Sequence, residues 1–446
     1  MKKVTKEELL EKAKIPAQQA LKMHPYYKGK VQVMPRCAIR DFKDFGVWYS
    51  PGVAAPCLEI AKRKDDSYLY THRWNTVAVV SDGTRVLGLG NIGPHAGMPV
   101  MEGKALLFKY LGGVDAWPLC IGPNLDAEQI IQFVRWIQPT FGGINLEDIE
   151  KPKCFKVLDT LRADKSFEIP IWHDDQQGTA CVTLAGVMNA LKVVGKKRGE
   201  VKVILLGAGA ANTAIGRILS TAGFDSKKCI YVDSQGIVCL DRTDLDEYKM
   251  EIARKTNGEG INGPAEVAFQ GADVCIALST PGPGTLPTAW IHSMASDAIV
   301  FSCANPIPEI WPWEAKEAGA KVVATGRSDF PNQVNNSIGF PGIFRGTLDV
   351  RARTITDEMC IAAAEELAAV QEDAGLDADH IVPTMDNWEV FIREAVAVGL
   401  KAEEQGVARL KPSRQVLWES AEAIIKNSRD STKLLMEQGL IPPYKE

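Results

Sequence analysis

The sequence predicts an α/β protein of two domains, and three observations carry that expectation. The first is length, because 446 residues exceed what one hydrophobic core organises and roughly 150 to 250 residues per domain is the ordinary division. The second is an alternation, from about Asn75 onward, of short β-branched runs with longer helical patterns, the signature of βαβ units around a largely parallel sheet. The third is a break in that alternation: the long apolar stretch GTACVTLAGVMNALKVVG ends in the polar run KKRGE, residues 196–200, and a second series of strands then begins.

In chain order, the first series reads NTVAVVSD, VDAWPLCI, GGINLED and IPIWHDD, with the helical segments AEQIIQFVRW and KCFKVLDTL between them. KKRGE is the best linker candidate. The second series reads VKVILLG, KKCIYVD, ADVCIAL, DAIVFSC and AKVVAT, each of strand length. From about Thr354 the chain is mainly helical, with apolar residues recurring at three and four positions in DEMCIAAAEELAAV and NWEVFIREAVAVGLKAEEQG. Prolines cluster in ALSTPGPGTLP and SCANPIPEIWPW, at strand ends where an open α/β sheet places its ligand loops.

Composition excludes several function classes. A net charge of -5, with no Lys/Arg cluster interleaved with aromatics, argues against nucleic acid. The ten cysteines, Cys37, Cys120, Cys181, Cys275 and Cys303 among them, form no CxxC pair and read as buried thiols in a reducing compartment. The opening MKKVTKEELLEKAKIP alternates Lys with Glu where a signal peptide carries an apolar stretch, and no segment approaches about 20 uncharged apolar residues. A cytoplasmic protein without a membrane partner is expected.

Two glycine loops compete for a dinucleotide. Gly88-Leu-Gly90-Asn-Ile-Gly93 fits GxGxxG letter for letter, while Gly207-Ala-Gly209-Ala210-Ala-Asn212 lacks the last glycine. The mechanism requires more than the string: a preceding strand, a helix whose N-terminus faces the pyrophosphate, and an acid about 20 positions on at the end of the next strand. After Gly93 the segment PHAGMPVMEGK is expected to interrupt such a helix with its proline and glycines. Gly207 meets all three requirements, following VKVILLG, preceding AANTAIGRILSTAG and leading to CIYVD, which ends in Asp233. The second domain is therefore expected to be a Rossmann-type doubly wound fold with C-terminal helices. Asn212 in the third glycine's place should loosen helix-on-strand packing slightly or act as a cap. Asp233 suits a free ribose 2′-hydroxyl, and Ser234 and Gln235 offer no cationic clamp for a 2′-phosphate, so NAD is preferred and NADP remains possible through a more distant Lys or Arg.

Carboxylates stand at two strand ends in the first half, Glu147-Asp148 after GGINL and Asp174-Asp175 after IPIWH. Either pair alone is an ordinary acidic turn. Together, at corresponding ends of neighbouring parallel strands, they can supply oxygen ligands for Mg2+ or Mn2+. His173 lacks the partners of a zinc site. Lys104, in MEGKALLFKYLGG, reads as a helix-entrance lysine that either snorkels to water or, desolvated beside another cation, falls in pKa and serves as a general base. Tyr49, ahead of a Ser-Pro-Gly turn, would by itself be structural.

Taken together, these segments resemble the malic enzyme family, in its shorter prokaryotic form. The motifs that carry the resemblance are YSPGVAAPC, SDGTRVLGLGNIGPHAGMPVMEGKALLFKYLGG, INLEDI, HDDQQGTA, LLGAGAAN, SCANPIPE and NQVNNSIGFPGIFRG, in family order from Tyr49 to Gly346. The resemblance implies a substrate- and metal-binding domain over residues 1–175 and an NAD(P)-binding domain with its helical extension over 176–446. It implies that Lys104 removes the malate hydroxyl proton, Tyr49 protonates the enolate, and Asp174 contacts the lysine. Arg85 would hold a substrate carboxylate, Glu147, Asp148 and Asp175 the metal, and Asn305 and Asn336, with adjoining Asn335, the substrate or nicotinamide. Gly207, Gly209, Ala210, Asn212 and Asp233 would bind the dinucleotide. A homodimer or higher homo-oligomer is expected. Competing readings are a malolactic-type enzyme, an oxidative decarboxylase of another 2-hydroxy acid, a non-catalytic dinucleotide sensor and a generic amino-acid dehydrogenase.

Overall fold

The computed structural model describes residues 6–445. An N-terminal helix α1 (Lys6–Tyr27) leads into a largely irregular, exposed stretch with short helices at Asp44–Trp48 and Ala54–Lys62. Four strands follow, β1 (Thr76–Ser81), β2 (Asp115–Cys120), β3 (Gly143–Leu146) and β4 (Ile171–His173), separated by α2 (Gly93–Gly112), α3 (Ala127–Ile137) and α4 (Lys153–Ala163). They form a parallel sheet of order β2-β1-β3-β4.

Helix α5 (Thr179–Val194) then precedes a second sheet built from β5 (Val203–Leu206), β6 (Cys229–Asp233), β7 (Gly236–Ile237), β8 (Val274–Ala277), β9 (Ala298–Ser302) and β10 (Ala320–Thr325). Its order is β10-β9-β8-β5-β6-β7, parallel except for the edge strand β7. This is the doubly wound topology expected from sequence, with the switch point between β5 and β8, where such sheets bind ligands. Connecting and C-terminal helices are α6 (Ala210–Thr221), α7 (Glu247–Lys255), α8 (Phe340–Asp349), α9 (Asp357–Ala374), α10 (Glu389–Glu404) and α11 (Arg414–Glu437).

Period-two alternation decides which strand residues meet which layer. In the first sheet Ala78, Val80, Ile144 and Leu146 pack on Ile130, Val134, Val157 and Leu158 of α3 and α4. Val77 and Val79 turn the other way, into a large core that also contains Val203, Leu205, Val274 and Phe301 of the second sheet. Helix α5 lies inside that core, with Ala180 to Leu191 buried, which is why its sequence is apolar on all sides. The polar run 196–200 joins α5 to β5.

Two expectations fail here. Helix α2 is not interrupted after Gly93: it runs for 20 residues through Pro94 and Pro99. Pro94 lies in the first turn, where no N–H partner is required, and the buried face of Gly97, Met101, Lys104, Ala105 and Phe108 supplies tertiary packing that outweighs one lost bond at Pro99. The cysteines are not all buried thiols, because Cys37 and Cys57 on the N-terminal stretch are exposed and Cys120 is half-buried. All ten are free.

Candidate active site

The C-terminal ends of β3 and β4 are adjacent, Leu146 pairing with His173, so the residues that follow each strand emerge side by side. This brings Glu147, Asp148, Asp174 and Asp175 together, and Lys104 projects into them from the middle of α2. Its Nζ lies 2.5 Å from Asp174 Oδ2 and 3.1 Å from Glu147 Oε1, and 4.4 Å from the centre of the Phe340 ring. Lys104 is thus neither at a helix entrance nor snorkelling to water; it is buried.

The chain positions each acid. Asn145 Nδ2 donates to Glu147 Oε2 at 2.9 Å and Trp172 Nε1 to Asp174 Oδ1 at 3.0 Å. Both donors stand two residues before their acceptors on a strand, a spacing that puts them on the same face and that the sequence displays. The backbone N–H of Asp148 donates to Asp175 Oδ2 at 3.0 Å, and its carbonyl accepts from Arg85 N at 3.0 Å. These contacts hold Asp148 at φ 53°, a left-handed conformation that a non-glycine residue adopts only when its surroundings impose it. Residues 174–178 form a single π-turn ahead of α5, a local widening common at functional sites.

The electrostatics differ from the sequence expectation. Burial pushes Lys104 toward neutrality, but Asp174 and Glu147 outweigh burial and hold its pKa above the ordinary lysine value. Among the described residues its charged neighbours are carboxylates, not the expected cation. Burial pushes Glu147 well above the usual range, with Lys104 opposing it. Asp148 is pushed up to about 7 by burial and by Asp175. Burial also raises Asp174, against hydrogen bonds from Lys104 and Trp172, and lowers the enclosed His173.

Among the described residues, no group of three His, Cys, Asp or Glu side chains closes into a ready metal-ligand set. The expected convergence of Glu147, Asp148 and Asp175 is therefore incomplete, and Lys104 is the cation lying between two of the acids. The donor set nevertheless fits a hard divalent ion: four carboxylates face one ammonium, and Asp148 Oδ2 is buried without a hydrogen-bond partner among the described residues.

The remaining sequence candidates divide. Asn336 borders the π-turn, its Cβ being 3.2 Å from where a Cβ on Gly178 would stand, and Asn335 caps the short helix Asn336–Ile338 through Ser337 N. Arg85 is exposed, with its backbone tied to Asp148 and its Nη1 donating to Leu87 O. Asn305, also exposed, follows β9, and its carbonyl lies 2.5 Å from a Cβ placed on Gly88. Tyr49 is not enclosed with the buried cluster. It is 75% exposed, among the exposed Phe42, Phe45, Trp48 and Val53 of the N-terminal stretch.

At the second sheet, Gly207 has φ 103°, and a Cβ there would stand 2.4 Å from Leu278 O across the switch point. Gly209 precedes Ala210, the first residue of α6. Asn212 does not cap the helix: its buried Nδ2 donates to Leu206 O and Gly207 O at 3.0 and 2.8 Å and so braces the loop. The close approach of helix to strand occurs one turn later, where a Cβ on Gly216 would stand 1.7 Å from the Tyr231 hydroxyl. Asp233 ends β6 as expected but is not free, because Arg242 and Lys249 both bind its carboxylate.

Two family models match the chain on either side of the acid cluster. The family model for the malic enzyme N-terminal domain matches residues 28–129, and that for the malic enzyme NAD binding domain matches residues 176–310 and 317–403. A bifunctional malic/malolactic enzyme of Bacillus subtilis (strain 168) is 47% identical over 88% of this chain and 94% of its own length. An NAD-dependent malic enzyme of Geobacillus stearothermophilus is 48% identical over 85% and 78%. The crystal structure of Entamoeba histolytica malic enzyme superimposes with a TM-score of 0.95 at 48% identity, covering 100% of this chain and 93% of that one. Sequence motifs, sheet topology and overall identity thus agree, and the chain belongs to the malic enzyme family.

Proposed function

We propose that the chain oxidises and decarboxylates malate to pyruvate and CO2 in the cytoplasm, using NAD(P) and Mg2+ or Mn2+. The observation that carries this reading is the buried Lys104 set against four acids at two neighbouring strand ends. When bound, the nicotinamide accepts hydride and the divalent ion supplies positive charge to the 2-oxo acid and its enolate. Glu147, Asp148 and Asp175 hold that ion.

Lys104 removes the malate hydroxyl proton. It must first be neutral, and Asp174, hydrogen-bonded to it, takes up the ammonium proton. Arg85 orients a substrate carboxylate, and Asn336 and Asn305 present amides to substrate and nicotinamide, with Asn335 fixing the turn that carries Asn336. Tyr49 returns a proton to C3 of the enolate. Its exposure, with that of the apolar side chains around it, supports a homodimer or higher oligomer in which a second copy covers the N-terminal stretch and shares the site. Residues 1–175 then serve substrate and metal, and 176–446 the dinucleotide.

The test follows reduced-cofactor absorbance with malate, NAD or NADP, and Mn2+, with and without chelator. Pyruvate and reduced cofactor in equal amounts are expected, and chelation should abolish turnover. Lactate without net cofactor reduction would instead establish the malolactic reading, and full activity in metal-free buffer would remove the metal from the mechanism.

A further inference from the structure

The acid at the end of β6 does not face the ribose site alone. Leu206 and Val232 are paired, and Gly207 N donates to Val232 O at 2.7 Å, so Asp233 emerges directly beside the glycine loop. Arg242 Nη1 donates to its Oδ1 at 2.7 Å, Lys249 Nζ to its Oδ2 at 2.6 Å, and Gln235 N to Oδ1 at 2.9 Å. Asp244 takes the other end of the Arg242 guanidinium. Two cations and two carboxylates therefore cancel. Lys249 also lines a cleft of about 250 Å³ together with Lys151, Ala208, Thr213 and the acids Asp246 and Glu247, which places it beside the same loop.

We infer that Arg242 and Lys249 form a 2′-phosphate clamp masked by Asp233, so that this carboxylate selects NAD in two ways: it accepts from the ribose 2′-hydroxyl and neutralises the cations that would otherwise hold the phosphate of NADP. The inference rests on the dinucleotide site proposed above. A dianionic phosphate gains less from cations already neutralised by Asp233 and Asp244, and it meets the Asp233 charge as well. Removal of that one negative charge leaves the linked set of Arg242, Lys249 and Asp244 net positive and frees up to three donors. Sequence spacing hides the arrangement, because the cations lie 9 and 16 residues beyond the acid they mask.

The experiment measures binding to the protein without metal or malate, by calorimetry, using 5′-AMP and adenosine 2′,5′-bisphosphate as probes. Wild type should prefer AMP. Asp233→Asn, which keeps the side-chain shape, should tighten the bisphosphate by about tenfold or more, the effect of one or two freed charged hydrogen bonds, and the gain should shrink at high salt. Asp233→Ala should do the same, so misfolding of either variant leaves the other as the test. Adding Lys249→Met to Asp233→Asn should remove most of the gain. The inference is overturned if neither Asp233 variant gains affinity, if the double variant keeps the gain, or if wild type already binds the bisphosphate more tightly than AMP. If wild type binds neither probe, the dinucleotide site itself is misplaced and the inference falls with it.

Discussion

Replacing Lys104 by alanine tests the site most directly, because three consequences of one truncation have different signs. The Lys104 side chain is 9% exposed and is the ammonium shared by Asp174 and Glu147. Breaking a buried ion pair from one side costs about 3–5 kcal/mol. Both acids are already raised by burial and can protonate instead, so the loss at pH 7 should lie near the lower figure and shrink on acidification. Affinity for Mn2+ should rise by about tenfold or more, since a unit charge at 4 Å is worth about 4 kcal/mol at an effective dielectric of about 20 and the ammonium no longer opposes the ion. Malate oxidation should fall by about 10²-fold or more, the scale of a lost general base, while oxaloacetate decarboxylation, which needs no hydroxyl deprotonation, should be retained better. Reduced-cofactor absorbance, oxaloacetate consumption and Mn2+ titration measure the three. Malate oxidation within a few-fold of wild type, or equal losses in both reactions, would refute the role given to Lys104.

Tyr49→Phe removes one hydroxyl and should leave stability within about 0.5 kcal/mol, but impair solvent-deuterium incorporation into the pyruvate methyl group; wild-type exchange would remove Tyr49 from the chemistry. Mixing that variant with Lys104→Ala should restore part of the malate oxidation if a second copy supplies the tyrosine, and nothing if one chain supplies both. Gly216→Ala should destabilise by about 1–3 kcal/mol through overpacking against the Tyr231 hydroxyl, with partial rescue by Tyr231→Phe in denaturant midpoints. Glu394 is fully buried, neither carboxylate oxygen has a hydrogen-bond partner among the described residues, and burial pushes its pKa well up. Below the unfolded-state pKa, about 4.3, it is neutral in both states and carries no pH-dependent penalty. As pH rises above that value the unfolded chain releases the proton first, and folding stability falls by about 1.4 kcal/mol per pH unit until the folded-state pKa is passed. Glu394→Gln should therefore raise the melting temperature at pH 7 to 8 and bring no advantage at pH 4; a pH-independent difference would show that Glu394 ionises normally.

The parallel strands of both sheets are legible as short apolar runs bounded by turn residues, whereas the two-residue antiparallel edge strand β7 is too short to show a period. The glycine loop after β5 is legible because its features, a strand before, a helix after and an acid at the next strand end, are all local. The glycine loop at residues 88–93 is not excluded by a broken helix. Local rules forecast a break at Pro99, and packing on Met101 and Phe108 carries α2 straight through it.

Residue types and register were thus determined by the sequence alone: which acids end β3 and β4, that Lys104 and Tyr49 are candidates at all, and that Asp233 ends β6. What faces them was decided only in the folded chain. Lys104 precedes Asp174 by 70 residues, and whether its neighbours are cations or carboxylates sets the direction of its pKa, opposite here to the expectation. Asn212 braces the loop with its amide, and the close contact that a third glycine would serve falls to Gly216 against Tyr231. Arg242 and Lys249 meet Asp233 because β7 and α7 return past the end of β6. The physical reason is common to all three cases. Propensity and periodicity act over a few residues along the chain, whereas charge, desolvation and steric contact act over a few ångströms in space, and only the tertiary fold brings distant residues within that range.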